Sequence, residues 1–379
     1  MRLKRIQVRN YRSLRSVDLE LQPLNLLIGA NASGKSNVMD ALRFLTQGIQ
    51  ERDFGRAVSS RGNVVQLAWK GAEAESVGLT ALFENTSRIQ WMVTIKRQGF
   101  DFDLTENLSV HNANLPPSHV LSSQRGAGWW WSGSQTKQVK LSLAQPTGCA
   151  LAAAAADESF PGRAVAETVG SWGFFDPSPA HLRRATFPDE DEGPRLDGNG
   201  RNLAGRLMAI RESRSEVFDQ IVSATRDVLG VPEGIELRRQ EYDGRIYFVQ
   251  KEPGLNYPVH QLQASSGTLR MLALMTALFG EEDITLVGIE EPENYVHPNA
   301  LESFASYLLD AANRVQLIVT THSPLLLNYL NSPDAICIVR RGSKGTEVTR
   351  EPNPQAVRQA LKESGFGLGA FYETKGFGG

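Results

Sequence analysis

A chain of 379 residues with net charge −2, 41% hydrophobic and 22% charged residues has the balance of an ordinary globular protein, long enough for one large core or two smaller ones. It lacks the polyelectrolyte charge of a general nucleic-acid binder and any run of roughly 18 apolar residues that would span a membrane. Cys149 and Cys337 make neither a disulfide framework nor a metal-ligand spacing, and MRLKRIQVRN has no signal-peptide core, which predicts a cytoplasmic protein.

The chain opens on three predicted strands, Leu3–Val8, Val17–Leu21 and Leu24–Ile28. Arg2, Lys4, Arg5, Arg9, Arg12 and Arg15 all precede the first acid, Asp18. They read either as protective charges on a solvated strand or as a patch facing nucleic acid. Next comes Gly29-Ala30-Asn31-Ala32-Ser33-Gly34-Lys35-Ser36, a complete G-x-x-x-x-G-K-S loop, and then a helical spacing, Val38, Leu42, Leu45, Ile49. Strand, glycine loop and helix are the context that makes this motif a nucleotide site. Its backbone N–H groups and the helix N-terminus suit phosphate. Gly29, Asn31, Ser33, Gly34 and Asn37 line the predicted loop, Lys35 reaches the β- and γ-phosphates, and Ser36 is a ligand for Mg2+.

Residues 63–69, 77–84, 89–97 and 100–104 read as strands. From 106 to 200 the periodicity degrades. Pro116-Pro117, Trp129-Trp130-Trp131, the alanines 152–156 and the acids Asp189–Glu192 mark a loop-rich lid. The tryptophans read either as packing of that lid or as a docking patch for a partner. Helices are predicted over 202–210 and 214–228, and strands over 235–239 and 245–251. The segment 268–279 is apolar on nearly every face, as in a buried helix. It is preceded by Ser265-Ser266-Gly267, a second anion-binding helix start.

The buried run Ile284–Ile289 ends in Glu290-Glu291-Pro292-Glu293. A phosphate-loop ATPase needs one acid there for Mg2+ and its water shell, Glu290, and a second to polarise the attacking water, Glu291. Side chains alternate along a strand, so the two point apart and suit separate tasks. After the amphipathic helix 301–312 and the strand 315–320 comes Thr321-His322-Ser323-Pro324, whose imidazole can hydrogen-bond a γ-phosphate. Another strand is predicted over 335–339. Helices alternating with apolar strands predict an α/β fold with a mostly parallel sheet and helices on both sides.

These motifs resemble the ABC-type ATPase heads of the SMC/RecF-like class, and most closely the AAA-family ATP-binding proteins related to the ATPase part of overcoming-lysogenization-defect (OLD) proteins. The resemblance rests on Asn10-Tyr11-Arg12-Ser13-Leu14, on Gly34-Lys35-Ser36-Asn37, on Ser265-Ser266-Gly267-Thr268, on Ile289 through Pro298, and on Thr321 through Pro324. It covers roughly residues 1–105 and 200–340. It implies an N-terminal lobe with an antiparallel β part over 1–105, an inserted lid over 106–200 and a C-terminal lobe over 201–379. It also implies that two heads pair head to tail. ATP held by Lys35 and Glu290 of one chain would be capped by Ser265 and Gly267 of the other. Glu291 would polarise the water and His322 would sense the γ-phosphate. Gln66 is the candidate for a glutamine loop.

The function expected is an ATP- and Mg2+-dependent switch in DNA repair or anti-phage defence, a homodimer through ATP, working on DNA or with a nuclease or other effector protein and not on a membrane. Two alternatives are weaker. A self-contained OLD-type nuclease needs a Toprim metal site, and the segment after His322 holds Asp334 but no Asp-x-Asp. A transporter ATPase subunit fits poorly with the strands ahead of the phosphate loop and with Thr-His-Ser-Pro.

Overall fold

The computed structural model describes residues 1–70, 76–84, 87–111, 118–133, 137–187 and 195–374. Pro116-Pro117 and the acidic run Asp189–Glu192 lie outside them. The chain divides into two compact units, 1–172 with 334–355, and 173–333 with 356–374 among the described residues.

In chain order the strands are β1 (Arg2–Tyr11), β2 (Leu14–Glu20), β3 (Leu24–Ile28), β4 (Ser76–Glu84), β5 (Arg88–Gln98) and β6 (Asp101–His111). Then follow β7 (Ser118–Gln124), β8 (Ala127–Ser132), β9 (Lys137–Ser142), β10 (Gly173–Phe175), β11 (Gly234–Arg239) and β12 (Ile246–Lys251). The last are β13 (Val259–His260), β14 (Leu286–Glu290), β15 (Gln316–Thr321), β16 (Ile336–Gly342) and β17 (Gly345–Arg350).

The first unit carries an eight-stranded sheet in the order β2-β1-β4-β5-β6-β7-β8-β9, antiparallel throughout. Strict alternation builds it: Val77, Leu79, Ala81 and Phe83 of β4, and Trp91, Val93 and Ile95 of β5, are all buried. Beside it β3 pairs in parallel with β16, and β16 pairs antiparallel with β17. Every residue of β3 is buried, and all but Asn25 are apolar, as a strand covered on both faces requires. In the second unit β14 pairs in parallel with β10 and with β15. Parallel strands carry the phosphate-loop turn in one unit and the acids in the other, and the first unit adds an antiparallel sheet, an α/β architecture.

The reading of 106–200 as loop-rich is corrected here. The end of β6, the strands β7 to β10 and three short helices, Ala150–Ala154, Arg163–Gly170 and Pro179–Leu182, occupy most of its described residues. The signal was hidden because β7 and β9 carry Ser, Gln and Lys on one face and few apolar residues on the other. Alternation places the tryptophans on two faces of β8. Trp130 is 4% exposed and meets Phe160 edge-on, with ring centroids 5.4 Å apart. Trp129 and Trp131 lie on the opposite face, 6.2 Å from each other. Glu106 is fully buried and accepts from the backbone N–H groups of Ala150 and Leu151, which ties β6 to the helix Ala150–Ala154. Burial pushes its carboxyl up to about 7. Residues 63–69 are not a strand either. Asn63 caps Val64–Leu67 by accepting from Gln66 N, which nucleates a single helical turn.

Two of the six N-terminal basic residues pair with acids of their own sheet. Lys4 pairs with Glu20 at 3.1 Å, and Arg5 reaches diagonally across to Asp18 of the neighbouring strand. For these two, the charges belong to the solvated face of the sheet. Among the described residues, no helix is long and apolar enough to cross a membrane.

Candidate functional site

The phosphate loop belongs to the first unit. Buried β3 ends at Ile28, the chain turns through Gly29–Gly34, and α1 (Lys35–Gln50) begins. Gly34 caps α1 with φ +111°, which a side chain rarely adopts. A Cβ there would lie 2.2 Å from Thr346 Oγ1 and 2.9 Å from Ser13 Oγ. These hydroxyls hold the loop. Asn37 Nδ2 donates to Ser13 Oγ at 2.6 Å, Ser13 and Thr346 share a hydrogen bond at 2.8 Å, and Thr346 Oγ1 donates to Ser33 O at 2.8 Å. Lys35 is 5% exposed and donates to Gly29 O at 2.8 Å and Ala30 O at 3.2 Å. Asn31 and Ser36 are exposed, and Ser33 is buried. Gly34→Ala is therefore expected to lose nucleotide binding together with about 1–3 kcal/mol of stability from backbone strain alone. Nucleotide titration and chemical denaturation check it.

A cavity of about 750 Å3 adjoins the loop, lined by Arg12, Ser13, Asn37, Arg61, Trp69 and Arg341 among others. One wall is a charge cluster around Asp40 of α1. Asp40 accepts from Tyr11 OH, pairs with Arg12 at 3.2 Å and with Arg61 at 2.9 Å. Burial, then the Asp40 charge, pushes the Tyr11 phenol far up, so it stays a donor. One carboxylate facing two guanidiniums leaves this wall cationic, as an anionic ligand requires.

The second unit holds the other predicted residues. The signature helix, Ser266–Phe279, is capped by Ser265, which accepts from Thr268 N at 3.0 Å. Leu269, Met271, Leu272, Leu274 and Met275 are fully buried, each worth about 1.5–3 kcal/mol. The helix start opens on a cavity of about 360 Å3 that also touches Leu229, Tyr295 and His297. A Cβ on Gly267 would lie 2.7 Å from Tyr295 O, so only glycine permits this approach.

At the end of β14, Glu290 lies opposite Thr320 of β15, and Glu291 turns off the strand with φ +43°. Its N–H donates to Thr320 O at 3.0 Å. Its carboxylate lies 3.5 Å from His322 Nδ1 and accepts from Asn294 Nδ2 at 3.0 Å. The strand ends thus bring Glu291 and His322 together. Two residues not singled out from the sequence join them. Glu293, whose side chain is 8% exposed, accepts from Thr321 Oγ1 at 2.7 Å and His322 N at 3.1 Å, and lies 3.5 Å from His322 Nδ1. Arg270, 2% exposed, donates to the carbonyls of Glu290 and Glu291. Glu293 was visible as the last acid of the acidic run. Arg270, one charge in a buried helix, was the sharper clue. On the phosphate side Arg61 and Thr346 were missed, since nothing local marks them.

A phosphate loop after a parallel strand in one unit, and adjacent carboxylates with an imidazole at two strand ends in the other, are the parts that a phosphate-loop ATPase head needs. The comparisons agree. Residues 1–107 match the family described as "AAA ATPase domain", and residues 173–328 match "AAA domain, putative AbiEii toxin, Type IV TA system". The DNA replication and repair protein RecF of Actinobacillus pleuropneumoniae serotype 5b (strain L20) is 40% identical over 126 residues, 33% of this chain and 32% of RecF. The match thus spans about a third of that relative's length. The OLD nuclease of Thermus scotoductus (strain ATCC 700910 / SA-01) is 21% identical over 406 aligned positions, 98% of this chain and 68% of the nuclease. The fold is similar to an Smc head solved with the C-winged helix domain of ScpA, with TM-score 0.56, 12% identity, and 92% and 97% of the two chains covered. The chain thus carries AAA ATPase domain matches over 1–107 and 173–328, is similar in sequence to RecF and OLD proteins, and shares the fold of an Smc head.

Proposed function

We propose that the chain is an ATP-dependent switch in which two copies pair head to tail, acting on DNA or on a nuclease-type or other effector protein in DNA repair or anti-phage defence. The observation that carries this is the signature helix start. Ser265 and Gly267 stand at the mouth of an open cavity, with Tyr295 64% exposed on its rim and Leu262, 61% exposed, just ahead of the helix in sequence. A capped helix N-terminus of this kind is built to cover an anion, and exposed Tyr and Leu beside it suit a partner surface. The names of the RecF and OLD relatives support DNA as the setting.

In this reading Gly29, Asn31, Ser33, Gly34, Lys35 and Asn37 hold the phosphates, and Arg12 and Arg61 make the adjoining wall cationic. Ser36 and Glu290 present a hydroxyl and a carboxylate, the hard oxygen donors that Mg2+ takes, and a bound Mg2+ would neutralise phosphate charge. Glu291 takes a proton from the water as the water oxygen bonds to the γ-phosphorus and the bond to the β–γ bridging oxygen breaks. ADP and phosphate leave. His322, held at Nδ1 between two carboxylates, keeps Nε2 for the γ-phosphate. ATP is the glue of the dimer, and hydrolysis releases it.

The test mixes two variants. Lys35→Ala and Gly267→Asp are each expected to be inactive, the second because a bulky acid meets Tyr295 O and repels phosphate while its own phosphate loop still binds ATP. Mixed, they form one site with both defects and one with neither, and ATPase activity returns. Wild-type activity per chain rises with protein concentration as dimers form. A monomer with full activity at high dilution rules the trans arrangement out.

A further inference from the structure

We infer that Arg270 is the positioning residue of Glu291, fixing the direction of that carboxylate from the signature helix; this rests on the role proposed for Glu291.

An arginine with 2% of its surface exposed is costly to bury, and this guanidinium is spent almost wholly on backbone. It donates to Pro177 O at 2.6 Å, Glu290 O at 2.8 Å and Glu291 O at 3.1 Å, and to the Asp176 carboxylate at 3.1 Å. The two glutamate carbonyls belong to the peptides on either side of the Glu291 Cα. That residue sits at φ +43° and precedes Pro292, a conformation no local preference supports. Strain of this kind persists only where surrounding contacts over-determine it. Here they do. Thr320 O accepts from the Glu291 N–H at 3.0 Å, and Arg270 grips both flanking carbonyls. With the backbone held on three sides, the side chain leaves toward His322 and Asn294 and not along the regular strand direction.

Arg270 also lies five residues after Ser265 on one continuous helix. A second joint, Gly267 against Tyr295 O, links the same helix to the same acidic loop. A push on the helix start therefore reaches the Glu291 peptides through a rigid buried rod.

The experiment is a double-mutant cycle between Arg270→Met and Glu291→Gln, read by ATP affinity, ATP-induced dimer and steady-state kinetics. Arg270→Met is expected to bind ATP and dimerise as wild type, keep its KM, and lose kcat on the order of 10²-fold, as a misaimed group does. Arg270→Lys recovers part of the rate. In the Glu291→Gln background Arg270→Met costs nothing further, because there is no carboxylate left to aim. Losses that multiply, or a wild-type kcat in Arg270→Met, overturn the proposal while leaving the switch intact. A wild-type rate in Glu291→Gln removes the reading beneath it, and the proposal with it. Should Arg270→Met not fold, Asp176→Asn replaces it. That side chain is 61% exposed, so its change buries nothing new. A several-fold kcat loss that vanishes with Glu291→Gln is then expected, and an unchanged kcat overturns the proposal.

Discussion

Glu291→Gln is expected to bind ATP like the wild type, hydrolyse it 10²–10⁴-fold more slowly, about the span that general-base catalysis supplies, and accumulate as an ATP-bound dimer. The substitution keeps the shape and removes the charge. Gln can still accept from Asn294 Nδ2, now 3.0 Å from the carboxylate, and its backbone keeps its bonds to Thr320 and Arg270. The fold and the φ +43° turn at residue 291 are therefore retained. What is lost is the base beside His322 Nδ1, 3.5 Å away. Single-turnover hydrolysis and light scattering with and without ATP make the measurement. If turnover is unchanged, the catalytic carboxylate lies elsewhere, and Glu290 and the buried Glu293 are the next to be changed.

Lys35→Ala is expected to lower ATP affinity by at least about 10²-fold without unfolding the chain. A hydrogen bond to a charged group is worth roughly 1.5–3 kcal/mol, and an ammonium that reaches both the β- and γ-phosphates makes more than one. The ammonium donates to Gly29 O and Ala30 O at 2.8 and 3.2 Å. Removing it frees two carbonyls beside exposed Ala30, where water can replace it, so the melting temperature should change little. Isothermal titration with ATP and a thermal melt check both halves. Undiminished affinity would remove the phosphate-binding assignment of the loop.

The legible part of this protein was the part with a local cause. The phosphate loop shows because its glycines answer to backbone dihedrals within one turn of chain. Its helix shows because Val38, Leu42 and Leu45 repeat at helical spacing, and all three are buried. The acids after β14 show because an apolar run ends abruptly in charge. The segment 106–200 did not show. Its strands are paid for by neighbours across the sheet, as when Leu121 is covered opposite Trp130, and not by their own pattern.

The sequence by itself determined the chemistry on offer, a phosphate loop, two adjacent carboxylates, a capped helix start and a histidine, because each is set by residues within one short segment. The tertiary structure alone decided which of these meet. Parallel pairing of β14 with β15 sets Glu291 beside His322. The strand ends also deliver Glu293 to the same imidazole. Arg270, with twenty residues between it and Glu291, takes hold of that residue's backbone. Contacts between segments depend on sheet register and on the fit of a buried helix, and a linear pattern encodes neither.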